Sequence, residues 1–529
     1  MSDGNAASLA EMDAQINYHE TRALSLKIQR NKRAPVSKLS QDVLLAIFLT
    51  ARDSEQDQNL SNIPLRITHV CKEWRYVAIE AATLWIRPPT HHCRLQWTEI
   101  TLQRAKMAPL DVLLDFDHSS PATNKLVLAS MSRIAKLVIK GMSHRLYSLS
   151  GLISDNAPQL QELQISREIF EEDLLHLEDS DFEDTNFLKL VLPPTAFQEA
   201  PKLRRLTLQH VDLDFNSTLL SNLSSLSLKN VSPSALPTWA QLTDALRRMP
   251  LLQELSLDWA LPPAAASMPD LKAIELRHLK AISVRTKAVS QLQTFLSFII
   301  VAPPLVSLSL AWTFNNTPGD SQTESIIRTA AHLTDAKKHG DSFTTLDISA
   351  ERDNKEIRSL ARSPEGCFIE IAFPATNDPD DEWRDIHALK DFTRILLLNR
   401  ITYLSLDTDW IDYDVDSLRV LLNELPLLQT ATIGRLSAFN FFDCLDAEIR
   451  SKVVDKFCLR ELKSITWRDT DFRRYEWWVE ERAAYILEDR QKEGIPLQEL
   501  TFRNIANLNA ELVEIFKEVV PKVVVEPAL

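Results

Sequence analysis

The stretches Leu203–Leu213 (LRRLTLQHVDL), Leu223–Val231 (LSSLSLKNV) and Leu252–Ala260 (LQELSLDWA) share one spacing of apolar residues: apolar-x-x-apolar-x-apolar. The last two apolar positions lie two residues apart. In an extended chain they point to the same side, so each copy predicts a short strand with leucines inward and polar neighbours outward. Working outward from these copies, the spacing returns at Ile134/Leu137/Ile139, Leu160/Leu163/Ile165, Phe187/Leu190/Leu192, Leu279/Ile282/Val284, Leu305/Leu308/Leu310 and Phe343/Leu346/Ile348. It continues at Ile401/Leu404/Leu406, Leu428/Ala431/Ile433, Leu462/Ile465/Trp467 and Leu497/Leu500/Phe502. Leu271/Ile274/Leu276 fits as well, so either it or the Leu279 copy supplies that strand. An alternating strand is also expected at Pro109–Phe116.

The segments Trp239–Met249, Lys287–Val301 and Ser417–Leu425 read as helices joining the strands. Between Leu160 and Leu305 the copies follow one another at steps of 16 to 29 residues. This pattern resembles a leucine-rich-repeat solenoid, in which stacked units bury a core that no single unit could build. The step from Phe343 to Ile401 is 58 residues, so an insertion is expected around 351–385. The ninth repeat position, where such repeats carry Asn or Cys, holds Glu168, Val211, Val231, Ala260 and Thr313. An irregular solenoid over 109–510 is therefore expected, with 511–529 as a tail.

Upstream, Pro35–Pro88 reads as a compact helical module. Ser40 is placed to cap a helix whose Val43, Leu44, Ile47 and Phe48 recur at helical spacing. Asp53–Asn62 is polar apart from Leu60 and reads as a loop. From Pro64, a second stripe runs through Ile67, Val70, Cys71, Trp74, Val77 and Ala78, and Leu84-Trp85 closes the module.

Leu39-Ser40-x-Asp42-Val43-Leu44-x-x-Ile47-Phe48, then Val70-Cys71-x-x-Trp74-Arg75, then Leu84-Trp85, resembles a fungal F-box. Ser40 stands where that family has proline, and Asp42 where it has glutamate. The entry Lys32-Arg33-Ala34-Pro35 and the helix before it are similar to those of F-box proteins from mushroom-type fungi. The resemblance implies an α/β protein: an F-box module at 35–88, a linker and helix at 89–108, then the repeat region. It further implies docking on a Skp-type adaptor through Leu39, Val43, Leu44, Ile47, Phe48, Val70 and Trp74, and through it an indirect link to a cullin ubiquitin ligase. The repeat region would then hold a target protein. A repeat scaffold without ligase docking is the alternative.

Composition narrows the field. A net charge of −14 argues against general binding to nucleic acid or to an anionic membrane, which needs clustered Lys and Arg. Only eight glycines occur, and the two nearest, Gly141 and Gly151, are too far apart for a phosphate-cradling loop. No catalytic motif is present, so no enzyme and no cofactor are expected. The five cysteines lie far apart without a CxxC, which fits a reducing compartment. The opening MSDGNAASLAEMD lacks a basic start followed by an apolar core, and no run is long enough to span a membrane. A cytoplasmic or nuclear protein is expected.

Leu9–Arg33 reads as a helix with a short heptad-like stripe at Leu9, Met12, Ile16, His19, Ala23 and Leu26 and a solvated basic end. His91-His92-Cys93 invites a metal reading, but adjacent side chains diverge and no second ligand group lies at finger spacing, so no metal site is read. A helix is expected at Trp97–Lys106. On the strands, outward positions that suit a partner protein are Arg205, Gln209, Lys229, Glu254, Asp258, Trp259, Tyr403, Asp407 and Arg503. Glu168–Asp184 reads as a solvated acidic loop, and Trp477-Trp478 as end packing.

Overall fold

Alternation of buried leucines with half-exposed polar residues runs strand after strand in the computed structural model, which describes residues 3–54, 63–142, 146, 156–168, 190–193, 196–197, 199–264, 272–302, 304–314, 320–334, 343–351, 356–374, 382–408, 415–435, 437–450, 459–474 and 482–526. The fold is mixed α/β, with 14 α-helices among the described residues and a large, mostly parallel sheet. Phe187, Leu271, most of Glu168–Asp184 and the Trp477-Trp478 pair lie outside the described residues. The chain divides into two compact units, Met1–Leu213 and Asp214–Leu529.

The first unit begins with helix α1 (Asp3–Arg33), whose Leu9, Met12, Ile16 and Leu26 are exposed. The helical module follows as α2 (Gln41–Asp53), α3 (Ile63–Thr68) and α4 (Lys72–Glu80), closed by a 3-10 turn at Ala82–Trp85. The single second stripe expected from sequence is thus two helices. Cys71 adopts an extended backbone and caps α4, its Sγ accepting from the Trp74 amide, which breaks the run at His69–Cys71. Then come α5 (Leu95–Arg104), β1 (Leu110–Asp115), α6 (Pro121–Leu128), β2 (Ile134–Met142), β3 (Glu162–Glu168), β4 (Leu190–Val191), β5 (Arg205–Gln209) and β6 (Val211–Asp212). β1, β2, β3 and β5 lie side by side and parallel, with Leu137 opposite Leu163 and Leu163 opposite Leu206. Among the described residues, β4 pairs with β6 in a separate two-stranded sheet.

The second unit holds β7 (Ser225–Lys229), β8 (Glu254–Asp258), β9 (Ile274–Leu276), β10 (Ala281–Ala288), β11 (Ile299–Val301), β12 (Ser307–Phe314), β13 (Thr345–Glu351), β14 (Glu356–Arg362), β15 (Phe368–Pro374), β16 (Tyr403–Thr408), β17 (Thr430–Arg435), β18 (Ser464–Arg468), β19 (Glu499–Arg503) and β20 (Lys522–Glu526). Its main sheet runs β7-β8-β10-β12-β15-β14-β13-β16-β17-β18-β19-β20. The Leu279 copy supplies β10 in this sheet, while Ile274 and Leu276 lie in β9, which among the described residues pairs with β11 in a separate sheet. Helices cover the returns at Trp239–Arg247, Val289–Phe298, Asp320–Leu333, Glu382–Ile395 and Val415–Leu422.

Two things hold the strands in register. Leucines meet leucines, as in Leu226↔Leu255↔Ile282↔Leu308 and Leu346↔Leu404↔Ala431↔Ile465↔Leu500. Each fully buried side chain contributes about 1.5–3 kcal/mol. At several strand entries, one carbonyl also accepts two successive amides of the next strand: Ser224 from Gln253 and Glu254, Gln253 from Lys280 and Ala281, Thr402 from Gln429 and Thr430.

The expected insertion contains a strand pair built into the sheet. β14 runs antiparallel to both β13 and β15, and β15 lies parallel to β12. The segment 511–529, expected as a tail, contributes most of the helix Ala510–Val519 and the edge strand β20, parallel to β19. Lys522 and Glu526 on that edge oppose further pairing.

Candidate docking surfaces

Helical pitch divides the α2 run between two roles. Leu44 and Phe48 are 0% and 1% exposed, whereas Val43 and Ile47, one turn apart on the other side, are 46% and 45% exposed. Sequence grouped all four as docking residues, but the structure places Leu44 and Phe48 in the module core. Phe48 meets Trp74 there at a ring distance of 5.0 Å, and Trp74 is half-buried. Val77, Ala78, Leu84 and Trp85 complete the core, and the Trp85 indole N–H donates to the Ala78 carbonyl at 2.6 Å. Ser40 Oγ accepts from the Val43 amide at 3.3 Å, so α2 starts with a side-chain cap where a proline could not supply one.

The break between α3 and α4 puts Val70 in a turn, 56% exposed. Leu39 is half-buried at the entry to α2. Tyr76 on α4, which sequence reading did not single out, is also exposed, because a lone aromatic off the apolar stripe carries no periodic signal. Among the described residues of the module, Val43, Ile47, Val70 and Tyr76 are thus exposed apolar or aromatic side chains, while Leu44 and Phe48 belong to its core.

No protein-family model matches the chain, and no curated protein is significantly similar to it.

The outward positions of the strands form a second candidate surface, and most of them already have partners across the sheet. Arg205 Nη2 lies 2.7 Å from Glu162 Oε2, and Lys136 Nζ lies 3.0 Å from the other carboxylate oxygen, in line across β2, β3 and β5. Burial alone would raise the Glu162 carboxyl; hydrogen bonds from Arg205 and Lys136 outweigh it and hold the carboxyl below its usual range. Glu254 accepts from Ser225 at 3.0 Å. Asp258 Oδ1 stands 4.0 Å from Arg285 Nε, and burial pushes this carboxyl up against the pull of Arg285 and Lys229. Tyr403 donates to Thr432 at 2.9 Å, Asp407 pairs with Arg468 at 2.7 Å, and Arg503 pairs with Glu526. Gln209 and Lys229 are half-buried at strand ends. Trp259 follows β8 with φ +53°, its amide donating to the Arg285 carbonyl at 2.9 Å.

The structure adds a polar network that sequence reading missed. Arg285 reaches Glu356 at 2.5 Å, Glu356 lies 3.3 Å from Arg358, and Arg358 lies 3.3 Å from Glu370, which accepts from Ser309 at 2.7 Å. Its β14 and β15 members fall in the expected insertion. The β-branched pair Ile369 and Ile371 flanking Glu370 was the available signal.

Among the described residues, no helix is long and apolar enough to cross a membrane.

Proposed function

We propose that this chain is a substrate-recruiting adaptor of a Skp–cullin–F-box type ubiquitin ligase. The module at 35–88 docks on the Skp-type adaptor, and the irregular leucine-rich-repeat-like solenoid from about residue 109 presents a surface to a target protein. Its action is positional: tethering raises the effective concentration of the target at the ligase. The observation that carries this reading is the exposure of Val43, Ile47 and Val70 around a sealed module core. Apolar side chains held out on a rigid frame suit a protein partner. The parallel strands with leucines in register support the solenoid part of the reading.

The test is retention of a purified Skp-type adaptor on the immobilised full chain. Wild type retains it, and Val43→Asp/Ile47→Asp reduces retention at least tenfold with unchanged circular dichroism. Leu44→Asp and Phe48→Asp are unsuitable, because they charge the core and unfold the module whatever it binds. A wild-type chain that fails to retain the adaptor leaves the repeat scaffold without ligase docking as the better reading.

A further inference from the structure

Residues 87–92 are fastened along β1 and the turn that follows it. Arg87 pairs with Asp111 at 2.8 Å, Thr90 Oγ1 donates to the Leu113 carbonyl at 2.6 Å, and the His92 amide donates to the His118 carbonyl at 3.2 Å. His92 has φ +46°, in the left-handed region that few non-glycine residues adopt. In extended chain, consecutive side chains diverge, which was the sequence argument against a metal site here. A left-handed residue cancels that alternation, and the His91 and His92 rings meet with centroids 4.4 Å apart.

His118 brings a third imidazole from the turn after β1, its ring 4.5 Å from that of His91 and 5.2 Å from that of His92. One ligand nitrogen from each of the three lies within 4.8 Å of the others. Asp115 Oδ2 stands 3.0 Å from His118 Nδ1 and 3.7 Å from His91 Nδ1. A carboxylate that accepts an imidazole Nδ1–H leaves Nε2 as the basic nitrogen and fixes the ring, as outer carboxylates do for metal-bound histidines. Cys93 takes no part: its thiol donates to the Pro89 carbonyl at 3.1 Å and lies 3.4 Å from Thr98 Oγ1.

We propose that His91, His92 and His118 form a zinc site, oriented by Asp115. Three imidazole nitrogens without a thiolate suit a borderline divalent cation, and zinc takes them in tetrahedral geometry with the fourth position left for water. Bond lengths of about 2.0–2.1 Å require nitrogens roughly 3.4 Å apart. The three nitrogens already lie within 4.8 Å of one another, and the exposed His92 has the most freedom to close the remaining gap. Zinc here ties the segment after the helical module to β1.

The experiment is calorimetric titration of zinc chloride into the full chain after chelator treatment and dialysis. Wild type is expected to bind one equivalent saturably at micromolar or tighter affinity. His118→Ala and His92→Ala each weaken it at least tenfold, and Cys93→Ser changes it less than threefold. In wild type, cobalt(II) gives the visible spectrum of a tetrahedral nitrogen site without a sulfur charge-transfer band. Circular dichroism of the metal-free variants confirms that they fold. No saturable binding below about 100 µM in wild type overturns the proposal, a limit well above the affinities that structural zinc shows. So does unchanged stoichiometry and affinity in His91→Ala/His118→Ala.

Discussion

The Phe48 ring lies 5.0 Å from the Trp74 ring at an interplanar angle of 56°, and this contact joins α2 to α4. The same turn of α2 holds Ile47 out to solvent, so one residue seals the module while its neighbour presents it. A separate contact seals the other end of the core, where the Arg104 guanidinium lies 4.4 Å from the centre of the buried Trp85 ring. Buried and exposed apolar side chains therefore alternate along a single helix of this module, and the proposed docking rests on the exposed ones.

Phe48→Ala tests the folding half. Removing a buried phenylalanine costs about 3–5 kcal/mol. The module is small, so this loss exceeds what its remaining contacts replace, and amide exchange over residues 41–53 rises by two orders of magnitude or more. Val43→Ala, at an exposed position, changes stability by about 0.5 kcal/mol or less. Equal exchange rates in the two variants would show that the Phe48–Trp74 contact does not hold the helices together.

Gly141 and Gly366 give a second contrast. Gly141 lies in β2 with φ +154°, and a Cβ there would stand 2.9 Å from the Cβ of Phe116. Gly366 lies in the turn between β14 and β15 with φ +88°, and an added Cβ would meet nothing within 4 Å. Gly141→Ala therefore suffers both a clash and backbone strain, and is expected to lose about 2–4 kcal/mol. Gly366→Ala carries strain alone, about 1–2 kcal/mol. Denaturant midpoints of the two variants measure the difference, and the reverse order would rule out the Phe116 contact as the cause.

The leucine spacing made most of the sheet legible, because burial at alternate positions is written directly into L-x-x-L-x-L. What it could not supply was pairing. Which neighbour each strand takes depends on chain returns, so Leu190 and Ile274, with the same local pattern as the rest, end in separate two-stranded sheets. β14 and β20 lack the leading leucine, so the repeat spacing does not mark them, although Val523-Val524-Val525 favours a strand. A further regularity lies at the eighth repeat position, where His210, Asn230, Trp259, Arg435, Asp469 and Asn504 all have φ between +52° and +56°. Glycine would have flagged this turn, but none occupies it, and only Asn and Asp hint at left-handed backbone. The helix break at Cys71 and the meeting of His118 with His91 and His92 arise from single backbone conformations that periodicity does not record.

Two carboxylates on the strand face should answer pH in opposite senses. Glu162 is penalised by burial, but hydrogen bonds from Arg205 and Lys136 overcome this and depress its folded-state pKa. Its contribution to stability is therefore present above the unfolded value of about 4.3 and is lost as pH falls through the lower folded value. Asp258 is raised chiefly by burial, with Glu356 adding to the rise and Arg285 and Lys229 opposing it. Its ionised form is disfavoured in the fold, so its contribution declines as pH rises from about 3.9 through the higher folded value. Glu162→Gln is expected to lower stability at pH 7 and to flatten the acid limb of the curve. Asp258→Asn should leave stability at pH 7 unchanged or higher, and remove the decline that sets in as pH rises above about 3.9. Urea midpoints from pH 3 to 7 read both effects, and two variants shifting in the same direction would mean that the charge ladder, rather than local burial, governs Asp258.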